Sequence, residues 1–164
     1  MGEGRYRPRH GESIVSAIGA GFFFILIGAI FVMTPNIFDR VVDFFKNFDV
    51  IKIPNTEVYL PAPKNPSMHL TVYNAIGTFC LVWGIFQIVL LALRFVFSSP
   101  YAKKAETVSS AVFWLGAYYL VINFLNNAPM LTEWFAFWSM ILTWLGFSLI
   151  IRAIVLAARR ESIH

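Results

Sequence analysis

Cysteine is almost missing from this chain: Cys80 stands alone in 164 residues. No intrachain disulfide can form, and dithiol redox chemistry, which needs a second thiol, is excluded. Charge is scarce too. Asp, Glu, Lys and Arg make up 13% of the residues, against about 25% in soluble domains. No Asp, Glu, Lys or His falls in the central part of any long apolar run. That absence removes the usual machinery of chemistry inside a membrane. Proton relays need a buried carboxylate or histidine, and haem ligation needs histidines within helices. Zinc proteolysis needs an HExxH-like element, and phosphate-loop chemistry needs a glycine-rich loop. None of these patterns is present. The expectation is a protein without catalytic residues, metal or cofactor.

What is present in abundance is apolar. The hydrophobic fraction is 58%, seventeen residues are Phe, and mean hydropathy is +0.66. A chain this apolar cannot cover itself with polar groups, so lipid must be part of its solvent. Four runs are long enough to cross the hydrocarbon core, at about 14–33, 68–97, 107–126 and 133–156. Twenty residues at about 1.5 Å each span about 30 Å. The first run exceeds the apolar core of a signal peptide, about 7–15 residues, and ends without a small-x-small site, so it reads as a span. The whole chain reads as one four-helix transmembrane domain.

The net charge of +4 does not indicate nucleic acid, because the basic residues sit in short tracts at the ends of apolar runs. They set orientation instead. Arg5, Arg7, Arg9, Arg94, Lys103, Lys104, Arg152, Arg159 and Arg160 fall on one side; Arg40, Lys46, Lys52 and Lys64 fall on the other. The nine belong inside, which puts both termini in the cytoplasm and the 34–67 loop outside. Trp134 and Trp138 then fall toward the outer interface.

The loop has a pattern of its own. Thr34-Pro35-Asn36 reads as a helix start, and Phe38, Val41, Val42, Phe45 and Phe48, with Ile37 and Phe44, share one face of the helix that follows. An amphipathic helix of this kind suits the membrane interface. Val50–Ile53 and Val58–Leu60, around Pro54-Asn55, suggest a short hairpin.

Each span also carries a stripe of small or polar residues at spacings of three and four. The first is Ser13, Ala17, Gly21, Phe24, Gly28; the second Tyr73, Gly77, Cys80, Gly84, Gln87, Arg94. The third is Ser109, Val112, Gly116, Tyr119, Asn123; the fourth Ala136, Ser139, Thr143, Gly146, Ile150, Ala153, Ala157. In lipid, small residues let backbones approach and neutral polar groups bond between helices. The mixed spacing predicts an antiparallel, left-handed bundle with a closed core, so that any pore would lie between subunits.

Asn74, Thr78, Tyr119 and Asn123 form a candidate polar pocket, with interhelical hydrogen bonding as the plainer reading. Arg94 and Arg152 are candidate contacts for lipid phosphate, though topology alone accounts for them. His69, alone at a boundary, reads as structural. The plan of a long first outer loop with both termini inside resembles the claudin-like tetraspan families, but their paired loop cysteines are absent and no family follows. The function expected is association: an accessory subunit, scaffold or homo-oligomer, partnered by membrane lipids and by its own copies or an unrelated membrane subunit. A channel or carrier formed between subunits is the alternative.

Overall fold

The computed structural model describes residues 10–127 and 129–161, with the side chains of 10 and 159–161 left aside. The tail residues Arg5, Arg7 and Arg9 lie outside these limits. Within them are five helices and one hairpin: α1 His10–Met33, α2 Ile37–Lys46, β1 Phe48–Lys52, β2 Tyr59–Pro63, α3 Leu70–Val96, α4 Tyr101–Leu120 and α5 Leu131–Glu161. A 3-10 turn, Pro66–His69, leads into α3, and a π-helical turn, Val121–Leu125, extends α4. Four of the helical segments are long and apolar enough to cross a membrane. The first begins before the apolar run does, so Glu12 lies inside it.

The spans pack chiefly in the order α1–α3–α4–α5. The middle pair is therefore the most enclosed: 39% of the third span's apolar window is buried, against 6% of the fourth's. The α1–α3 seam is aromatic, with Phe22 stacked on Phe86 at 3.7 Å and Phe23 edge-on to Phe79 and Trp83. The α4–α5 seam is hydrogen-bonded. The Trp144 indole N–H donates to the Val112 carbonyl at 3.0 Å, and the Ser109 hydroxyl donates to the Ser148 carbonyl at 2.7 Å. Trp144 reaches that carbonyl across Gly116, where a β-carbon would overlap the indole.

The second stripe is buried as expected: Tyr73, Gly77, Cys80, Gly84 and Gln87 all face inward. The first and fourth stripes are corrected. A β-carbon on Gly21, Gly28 or Gly146 would meet nothing within 4 Å, and Phe24 is exposed. The inward face of α1 carries Val15, Gly19 and Leu26, and that of α5 carries Trp134, Phe137, Trp144 and Ser148. The third stripe is buried at Ser109 and Gly116 but exposed at Tyr119 and Asn123. The π turn that follows adds a residue to the helical repeat and places Val121 and Leu125 inward instead.

Both connecting ends have clear local causes. After α3, Ser98 takes a left-handed conformation, the Ser99 N–H donates to the Arg94 carbonyl and the Ser98 N–H to the Phe95 carbonyl. This is a Schellman ending. At the start of α5, the Glu133 carboxylate caps the helix by accepting the Met130 N–H at 3.0 Å. The hairpin pairs Phe48 with Pro63 through Lys52 with Tyr59, antiparallel. Its turn uses Pro54 and then Asn55 at φ 61, with the Thr56 N–H donating to the Ile53 carbonyl. Asn is among the residues that reach positive φ at little cost.

Candidate functional site

The loop folds down over the ends of α3 and α5 as an aromatic cap. Phe44 is its hub. Its ring lies 5.1 Å from His69, 5.9 Å from Tyr73 and 6.0 Å from Trp134, all edge-on, and 5.0 Å from Phe48. Edge-to-face pairs at this spacing contribute about 0.5–1.5 kcal/mol each beyond area burial. Ile37 and Phe44 are buried, so α2 is seated on the protein. Trp134 is buried here as well, because the cap covers it; Trp138, one turn on, remains half-exposed. Sequence reasoning placed Phe44 on the apolar face but did not single it out, since seven similar side chains share that face.

The rest of that face stays open. Phe38 and Phe45 are 68% and 67% exposed, whereas Val41, Val42 and Phe48 are half-buried. Beside them, a cleft of about 710 Å³ runs under the cap, walled by Phe45, Leu60, Ile76, Trp138 and Leu142. The rim of the cap carries ion pairs: Lys64 with Asp49 at 3.1 Å and Lys52 with Glu57 at 2.7 Å. The hydrogen bond from Lys64, with another from the Val50 N–H, holds the Asp49 carboxyl below its usual range.

The polar candidates separate into two kinds. Asn74 accepts a hydrogen bond from the Asn126 amide at 2.7 Å and so ties α3 to the end of the π turn. Thr78 donates to the Asn74 carbonyl, and Asn123 donates to the Tyr119 carbonyl, each within its own helix. Thr78, Tyr119 and Asn123 are exposed on the surface of the α3–α4 pair.

At the opposite end, Arg94 joins three helices. Its guanidinium donates to the Lys103 carbonyl and the Thr107 hydroxyl on α4, and lies 3.5 Å from the Glu12 carboxylate on α1. Both side chains of the ion pair are 12% exposed. Glu12 is the residue sequence reasoning missed. It sits just before the apolar run, and nothing in its own neighbourhood marks a partner eighty-two positions away. Arg152, by contrast, is exposed. His69 is buried, and among the described residues no group of three or more His, Cys, Asp or Glu is placed to hold a metal.

The fold and these sites describe a chain with four helices long and apolar enough for a multi-pass membrane protein, capped at one end by a short amphipathic helix and a hairpin. No family model matches it, and neither does any curated protein or solved structure.

Proposed function

We propose that this is a non-enzymatic multi-pass membrane protein that acts by association, using its aromatic cap as the recognition surface. The observation that carries this reading is the divided face of α2. Phe44 and Ile37 fix the helix to the protein, and that anchoring holds Phe38 and Phe45 outward in a set position. A helix serving only as a lipid float needs no such seat; a docking surface does. The partner is a second copy of the chain or an unrelated membrane subunit. The four spans belong to one antiparallel bundle, and the basic residues put both termini in the cytoplasm and the cap outside.

Phe45→Glu tests the reading. Phe45 is exposed, so the substitution leaves the fold intact, but a carboxylate buried without a partner in an interface is costly. Particle mass in mild detergent should fall on substitution. Unchanged mass with weakened membrane seating of the cap would assign the face to lipid. Orientation has its own test. In a Cys80→Ala background, an impermeant thiol reagent added outside should label a cysteine at Asn55 and spare one at Lys103; the reverse pattern would overturn the topology.

A channel or carrier formed between subunits is the second reading. Its support is the exposure of Thr78, Tyr119 and Asn123 on span surfaces, where lipid offers them no hydrogen bonds.

A further inference from the structure

Next to Arg94, α1 and α4 stand apart over α3 and leave a groove of about 530 Å³. It extends from Arg94 to Trp83, eleven residues along α3, or about 16 Å. That is about half the thickness of a hydrocarbon core. The deep part is walled by Phe23, Phe24, Trp83 and Leu90. Such walls suit a lipid tail.

The groove is not wholly apolar. Gln87 lies on its floor and is only 7% exposed, yet its amide makes no hydrogen bond among the described residues. Neither amide atom is sealed within the packing, and the residue itself lines the groove. Gln87 sits seven residues from Arg94, about 10 Å deeper. An unpartnered amide at that depth is costly, and it requires a hydrogen-bonding partner that the described residues do not supply. Two further neutral groups line the same groove without a hydrogen-bond partner among the described residues, Ser16 on α1 and Ser110 on α4. Three helices therefore each contribute a neutral hydrogen-bonding side chain to one cleft.

The charges at the mouth define what cannot bind. Arg94 is neutralised by Glu12, and Lys103 by Glu106 at 3.0 Å. Lys104, over the Phe95 ring at the same end of the bundle, has no carboxylate partner among the described residues, but a charged headgroup drawn down to Gln87 would meet only neutral lining there. The geometry points to a binding site for an uncharged lipid with hydroxyl or carbonyl oxygens, its polar group at Gln87, Ser16 and Ser110 and its tail against Trp83. Gln87 suits either oxygen type, because its amide both donates and accepts.

The test uses the purified full chain in mild detergent and two photoactivatable probes with identical acyl chains, a diacylglycerol and a phosphatidic acid. Diacylglycerol should label peptides of α1, α3 and α4 that line the groove, and unlabelled dioleoylglycerol should compete. Phosphatidic acid should bind at least tenfold more weakly. Gln87→Leu keeps the side-chain volume and removes the amide; it should weaken diacylglycerol binding about five- to tenfold, the worth of one or two hydrogen bonds. Ser16→Leu, at an exposed position that does not threaten folding, should plug the groove and abolish the groove label. The site is refuted if phosphatidic acid binds equally well, if the Ser16→Leu protein labels undiminished, or if label spreads evenly over all helices as it would for boundary lipid.

Discussion

Gly116→Ala should destabilise the protein by about 3 kcal/mol, while the bulkier Gly146→Leu should change its stability by less than about 0.5 kcal/mol. At Gly116 the new methyl group would occupy the space of the Trp144 indole. The indole must move, and its hydrogen bond to the Val112 carbonyl goes with it. Overpacking costs about 1–3 kcal/mol, and a lost buried hydrogen bond about 1–2 more. At Gly146 a side chain meets nothing within 4 Å, so it is a surface change of the kind that shifts stability little. Gly84→Leu should resemble Gly116→Ala, since a β-carbon there comes within 2.8 Å of the Leu115 side chain and 3.2 Å of its backbone nitrogen. Unfolding midpoints in detergent, compared for the three variants, check the order. If Gly146→Leu proved as damaging as Gly116→Ala, the packing of α5 described above would be wrong.

Removing either partner of the Glu12–Arg94 pair should cost about 3–5 kcal/mol, the range for a buried ion pair broken on one side. Arg94→Leu leaves a carboxylate whose two oxygens are enclosed and accept no hydrogen bond from the other described residues. It also removes the donors that hold Lys103 and Thr107. Glu12→Leu leaves a guanidinium that keeps its two α4 acceptors, so its cost should fall at the low end. The double variant Glu12→Leu/Arg94→Leu should be more stable than the sum of the singles implies, because no orphaned charge remains. A double-mutant cycle measured by denaturation of the full chain gives the coupling. A coupling near zero would mean that the two residues act independently and that α1 is held by its aromatic seam alone.

Much of the fold was legible in advance because its cause is local. Four long apolar runs, an amphipathic segment after Thr34-Pro35-Asn36 and a Pro54-Asn55 turn each form through neighbours a few residues away, and each has its counterpart in the structure, although α4 begins six residues before its apolar run and α5 ends five beyond its own. Which side of a span faces inward was read correctly for α3, where Gly77, Gly84 and Gln87 mark it. It was misread for α1 and α5. These helices lie at the ends of the packing order, and most of each stays uncovered. In water an exposed face must be polar, so burial leaves a signature; in lipid an exposed face is apolar too, and the contrast disappears. Small residues such as Gly28 and Gly146 are then free to sit outside, while Trp134, Phe137 and Trp144 fill the interior.

The sites divide along the same line. The sequence by itself determined the apolar spans, the amphipathic loop helix, and the absence of a dithiol and of acidic, Lys or His side chains in the middle of the spans, because composition and short-range periodicity carry those properties. The tertiary structure alone decided that Phe44 would be the hub of the cap and Phe45 its exposed face. It decided that Arg94 would meet Glu12, and that Gln87 would line a groove between α1 and α4. Each of these depends on which helix surfaces meet, and for helices apolar on every side that is settled by shape and by a few long-range hydrogen bonds and ion pairs, not by hydrophobic pattern.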